Sequence, residues 1–127
     1  MKFQPDLQDG VNLISRQEAA RIWVGPQSFE NSVVVPWAGP VLAWDAPRFE
    51  ALTADHFERV AALNPEVVIF GSGARIRFPH PSLLRPLIER RVGVETMDSA
   101  AACRTYNVLA SERRNVVVAL LIEGPEA

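Results

Sequence analysis

One cysteine, two histidines and twelve arginines hold most of the reactive or charge-bearing chemistry of this 127-residue chain. The run Gly71-Ser72-Gly73-Ala74-Arg75-Ile76-Arg77 puts two glycines and two arginines side by side. Glycine lets the backbone approach a ligand closely with its N–H groups forward, and arginine supplies a rigid fork of donors. A second run, Asp98-Ser99-Ala100-Ala101-Ala102-Cys103-Arg104-Thr105-Tyr106-Asn107, opens as a capped helix would. Its N-terminus adds the positive end of a helix dipole, while Asp98 competes for the same donors as the cap. Gly71, Ser72, Gly73, Arg75, Arg77, Asp98, Cys103, Arg104 and Asn107 therefore form the candidate ligand- or partner-binding set. A small anion is the ligand that this chemistry suits.

The glycine run is not a dinucleotide fingerprint, because Ile76 stands where a third glycine is needed. Nor is it a Walker-type phosphate loop, because this half contains no lysine. Cys103 has two readings: a thiol activated by Arg104 with His80 as a base, or a small buried hydrophobe. Asn107 lies one turn from Cys103 and Arg104, so the three could share a helix face. Tyr106 is expected to pack on the sheet with its hydroxyl on a polar partner. His56 reads as an exposed residue in the first turn of a helix. One cysteine and two histidines are too few for a zinc site of the Cys/His type. No catalytic residue, metal or cofactor is expected.

The net charge of -2 excludes a strongly basic nucleic-acid binder. It also conceals an asymmetry: residues 1–70 carry five basic and nine acidic groups, residues 71–127 eight and six. With 48% hydrophobic residues the chain can build a core, and its length suits a single domain spanning 1–127. No stretch of about 18 apolar residues exists, so membrane insertion is not expected. The start, MKFQPDLQDG, reads as neither a secretory signal nor a transit peptide, which predicts the bacterial cytosol.

These residues need elements to hold them. Gly and Pro turns punctuate residues 1–50, and short runs between them read as an antiparallel meander: Val11–Ile14, Ile22–Val24, Ser32–Val35 and Val41–Trp44. Trp23, Trp37 and Trp44 fall here as core or sheet-face residues, and a dimer surface built from these aromatics would make the chain a homo-oligomer. From Thr53 the rhythm changes. Thr53 caps a helix that Asn64-Pro65 stops, and Val67–Phe70 is a buried strand. Ser82 caps a helix over Leu83–Arg91, Gly93–Met97 is a strand, Asp98 caps a helix to Ser111, and Val116–Ile122 is a strand covered on both faces. This α-β-α-β-α-β order predicts parallel βαβ units. The fold class is therefore α/β, a central sheet with helices in the C-terminal half joined to an N-terminal antiparallel β section. In such sheets the carboxyl strand ends carry function, and Phe70–Gly71 and Met97–Asp98 are two such ends.

The same residues resemble a known family. Val67–Phe70 with Gly71-Ser72-Gly73, Arg75 and Phe78-Pro79 matches its strand and glycine loop. Val92–Glu95, Met97-Asp98 and Ala101-Ala102-Cys103-Arg104-Thr105-Tyr106-Asn107-Val108-Leu109 match its best-marked block, and Glu112 and Arg114 precede its last strand. The chain resembles the small-protein family of unknown function that includes mitochondrial complex I assembly factor 3 and the Mth938-like proteins of archaea and bacteria. The resemblance implies a three-layer α/β fold around a mixed sheet and no established enzymatic activity. Its eukaryotic member binds partners during assembly of NADH:ubiquinone oxidoreductase. Ser72 and Ser99 stand where threonine is common, and Arg113 where glycine is common, which implies a turn there with positive φ.

The function expected is non-enzymatic binding of a protein partner or small anion, in assembly or biogenesis of respiratory or other membrane complexes. The alternative is a small-molecule enzyme or sensor using the Gly71–Arg75 loop with Cys103 and Arg104.

Overall fold

The computed structural model describes residues 10–123. Three short strands, β1 (Ile14–Glu18), β2 (Arg21–Val24) and β3 (Gln27–Phe29), form an antiparallel sheet. The strands β4 (Val33–Val35), β5 (Leu42–Ala43), β6 (Val67–Gly71), β7 (Gly93–Met97) and β8 (Val116–Leu120) form a second sheet in the order β5-β4-β8-β6-β7. β6 runs parallel to β7 and β8, whereas β4 runs antiparallel to β8 and β5, so the sheet is mixed. Helices α1 (Ala54–Ala61), α2 (Arg85–Ile88) and α3 (Ser99–Ser111) connect them.

The apolar run that forms β8 explains the layering. Val116, Val118 and Leu120 enter a core shared with α3 and with Ile14, Ile22 and Val24 of the small sheet. Val117, Ala119 and Leu121 enter the opposite core, with Phe57 and Val60 of α1 and Leu87 of α2. A strand with period-two side chains and helices on both faces must be apolar throughout. This is the α/β fold expected, three layers deep around a mixed sheet.

Most elements of the second half have the anticipated bounds. Thr53 caps α1, and Asn64 ends the turn beyond it with φ +54°. The stretch after Pro81 differs. It begins as a 3-10 turn over Pro81–Leu84 and is α-helical only over Arg85–Ile88. His80, not Ser82, is its cap, accepting from the Ser82 N–H at 3.1 Å. Pro86 lacks the N–H that would donate to the Ser82 carbonyl, so a regular α turn cannot be closed there.

The N-terminal meander differs as well. Val11 makes only an isolated bridge to Ala38, and the first strand begins at Ile14. The polar segment Gln27–Phe29 becomes a strand, and Val33–Val35 leaves the meander for the main sheet. Val33 and Val35 face one core and Val34 the other, so this strand requires cover on both faces. Trp44 is buried edge-on to Phe57 and Phe70, while Trp23 lies on an open sheet face beneath Arg16 and Arg21. His56 is buried rather than exposed. Its Nδ1 accepts from the Thr53 N–H, and its Nε2 lies against the Asp45 carbonyl.

Arg113 has φ +64°, the left-handed turn that a glycine would adopt freely. A non-glycine residue pays about 1–2 kcal/mol there, against about 0.5–1 kcal/mol of extra chain entropy for glycine. Arg113→Gly is therefore expected to stabilise the fold by about 0.5 kcal/mol, raising the thermal midpoint by about 2 °C. A lower midpoint would mean that the Arg113 side chain contributes more than its backbone costs.

Candidate functional site

Parallel pairing of β6 and β7 sets Gly71 opposite Met97, so the glycine loop and the start of α3 emerge at the same sheet end. They bond directly to each other. The Ser72 N–H donates to the Met97 carbonyl at 2.8 Å, and the Ser99 N–H to the Gly73 carbonyl at 2.8 Å. The Gly73 N–H in turn donates to Ser99 Oγ at 2.9 Å. Asp98 Oδ1 accepts from the Ala101 N–H at 2.9 Å, completing the cap. The Ser72, Gly73, Ser99 and Ala101 N–H donors are thus used within the fold.

Gly71 permits a close approach, but to other parts of the chain. A Cβ there would lie 2.6 Å from Leu120 Cδ2 and 3.1 Å from the Ala102 Cβ, so the missing side chain is what lets α3 lie against the sheet. Gly73 has φ +104°, and a Cβ on it would lie 2.8 Å from Arg77 Nη2. The loop then folds around Ser72, whose hydroxyl donates to the Arg75 carbonyl and accepts from the Arg77 N–H, both at 2.8 Å. The Arg77 side chain turns inward. It donates to the Ser72 carbonyl at 2.6 Å and to Glu123 at 2.8 Å, and its guanidinium sits 4.8 Å over the Phe49 ring. Glu123 also accepts from the Phe49 N–H at 2.8 Å. Burial alone would raise the Glu123 carboxyl, but that N–H and Arg77 outweigh it and hold the group below its ordinary value. Ser99, Phe49 and Glu123 were not in the sequence-derived set. Glu123 and Phe49 lie 46 and 28 positions from Arg77, and no local pattern marks such partners.

The α3 residues do not converge on one face. Cys103 and Tyr106 are buried in the core, Asn107 is turned to β1, and Arg104 is exposed. The Ile14 N–H donates to Asn107 Oδ1 at 2.9 Å, and Asn107 Nδ2 donates to the Ile14 carbonyl at 2.8 Å. The Tyr106 hydroxyl lies 2.9 Å from the Asn12 carbonyl and 3.0 Å from that of Pro36. Asn107 thus fastens β1 to α3, and Tyr106 holds Asn12, just ahead of β1, together with Pro36, just after β4. An open hollow of about 650 Å³ between Gly10–Ser15, Val24–Pro26, Asn107 and Ser111 shares only Asn107 with the candidate set.

Burial pushes the Cys103 thiol up to about 12, overriding the opposing charge of Arg104. This is opposite to the activated thiol considered from sequence. His80 is engaged with Ser82. Iodoacetamide at pH 8 should therefore leave native Cys103 unmodified over hours and label it promptly in urea. Rapid native labelling would mean an accessible thiolate. Because the unfolded thiol ionises first, this group's contribution to stability is intact below about pH 9 and is lost as pH rises toward about 12.

Among the described residues no group of three His, Cys, Asp or Glu side chains is placed to hold a metal. No helix among them is long and apolar enough to cross a membrane. Arg75 and Arg104 are the two arginines of the candidate set that reach solvent, and neither has an ion pair among the described residues.

Comparison with known proteins agrees with this architecture. A Bordetella parapertussis crystal structure superposes with a TM-score of 0.85 at 38% identity, covering 90% of this chain and 98% of that one. A Bordetella pertussis solution structure, described as a Mth938-like domain, gives 0.84 at 32% identity, covering 99% and 95%. NADH dehydrogenase [ubiquinone] 1 alpha subcomplex assembly factor 3 of Xenopus tropicalis is 32% identical over 90 residues, which is 69% of this chain. The match takes in 48% of that relative, so the chain spans about half its length. The family described as "Protein of unknown function (DUF498/DUF598)" matches residues 14–121. With that match running from the first strand of the small sheet to the end of the last strand of the main sheet, the chain belongs to the DUF498/DUF598 family and has the Mth938-like fold.

Proposed function

We propose that this protein acts without chemistry of its own, binding a protein partner during assembly of a respiratory membrane complex. The observation that carries this reading is how the family-marked block is used. Cys103 and Tyr106 are buried, Asn107 holds β1 and Asp98 caps α3. Apart from the exposed Arg104, the block is committed to its own fold, which supports a scaffold whose function lies in a surface site elsewhere. The names of relatives such as the Xenopus tropicalis assembly factor support the same direction.

Deleting the gene in its host tests the proposal. Assembled NADH dehydrogenase, read as in-gel activity on native gels of solubilised membranes, is expected to fall severalfold and to recover with the plasmid-borne chain. An unchanged level of assembled complex would overturn it.

A further inference from the structure

Residues 75–78 show an arrangement that the fold does not need. Arg77 points inward to Glu123 and Phe49, between two exposed apolar neighbours. Ile76 is 48% exposed and Phe78 70% exposed, while the adjacent Pro79 is buried. Isolated exposed apolar residues are ordinary, but the backbone that carries these two is tied down. The Ser72 hydroxyl pins the loop at Arg75 and Arg77, the Arg77–Glu123 pair closes it, and Pro79 restricts the backbone of Phe78. A segment ordered before binding loses little entropy on binding. Arginine and aromatic residues together are the types that dominate protein interfaces.

We infer that Ile76 and Phe78 form a docking prong that enters an apolar cleft on a protein partner whose rim bears carboxylates facing Arg75. This surface deepens the assembly reading and rests on it. Charge decides between a protein and a lipid occupant. Membrane-surface binding draws on clusters of about 4–8 basic residues. Among the described residues Glu123 pairs with Arg77, and Arg75 is the cation of the prong without an ion pair. A single fork facing a carboxylate suits a protein rim.

The test places the photo-crosslinker p-benzoylphenylalanine at position 78 of the full chain in its host. Position 108, an exposed valine on α3, serves as comparison. Irradiation is expected to give discrete adducts at 78, at least about fivefold above those at 108, and Arg75→Glu should cut them at least about fivefold. The crosslinked peptide, read by mass spectrometry, should carry Asp or Glu near its apolar contact. Phe78→Ser, which alters only an exposed side chain, should keep the thermal midpoint and lose rescue of the deletion strain. Equal yields at 78 and 108, or adducts indifferent to Arg75→Glu, would overturn the prong. So would cosedimentation of the purified chain with 30% phosphatidylglycerol vesicles that Phe78→Ser abolishes, since the occupant would then be lipid. The two ideas fail separately. If deletion spares the respiratory complex while charge-sensitive adducts to an acidic partner persist, the prong stands and the assembly role falls. If deletion depletes the complex while position 78 matches 108, the reverse holds.

Discussion

Tyr106→Ala is expected to cost about 3–5 kcal/mol, the range for removing a large aromatic side chain from a core. The ring is fully buried among residues of the α3-side core, and its hydroxyl meets the Asn12 and Pro36 carbonyls. Against a total stability of about 5–15 kcal/mol this is a large share. Urea unfolding followed by tryptophan fluorescence measures it. Two milder variants separate the contributions. Tyr106→Phe keeps the ring and should cost about 1 kcal/mol for the hydrogen bonding. Asn107→Ala removes both bonds to Ile14 and should cost about 2 kcal/mol. Because both residues grip the segment Asn12–Ile14, their combined loss should fall short of the sum. Strict additivity, or a cost below about 0.5 kcal/mol for Asn107→Ala, would mean that the block does not fasten the N-terminal sheet.

Gly71→Val is the second large effect, and its cause is space rather than backbone conformation. The added side chain would press on Leu120 from the sheet and on Ala102 and Ser99 from α3. Overpacking of a close-packed core costs about 1–3 kcal/mol, and here the obstructions include a helix as well as a flexible side chain, so about 3 kcal/mol is expected. Gly93→Ala is the control. It sits on the edge strand β7, its nearest obstruction is 3.9 Å away, and it should change stability by less than about 0.5 kcal/mol. Equal effects at the two positions would show that Gly71 is not what lets α3 lie close to the sheet.

The sequence was most legible where information is local. Asp98 announces α3, glycine and β-branched residues frame Gly93–Met97, and an unbroken apolar run marks the doubly covered β8. The left-handed turn at Arg113 has no such local signal, and it was the family resemblance that implied it. What resisted reading was pairing at a distance. Val33–Val35 looks like its neighbours in the meander, yet its partner on one side is Val118–Leu120. Gln27–Phe29 has no apolar alternation and becomes a strand because β2 offers it an edge. His56 is polar, but its two ring nitrogens find a helix cap and the Asp45 carbonyl, so burial is tolerated.

The same division holds for the candidate site. The sheet end, the glycine loop and the capped helix were all locatable from strand order, and the structure brings them together. Which donors remain free depended on Ser99, Glu123 and Phe49. Arg75 and Arg77 look equivalent in sequence, but one reaches solvent and the other is locked between Glu123 and a ring.

In the proposed role, function lies on presented surface and Cys103 serves packing. Native-gel measurement of assembled NADH dehydrogenase in the deletion host, rescued in parallel by Cys103→Ala and by Phe78→Ser, puts that division to a direct test. Both variants should accumulate as folded protein, with Cys103→Ala restoring the complex fully and Phe78→Ser failing to do so. A folded Cys103→Ala protein that cannot restore the complex, beside a Phe78→Ser protein that can, would contradict it.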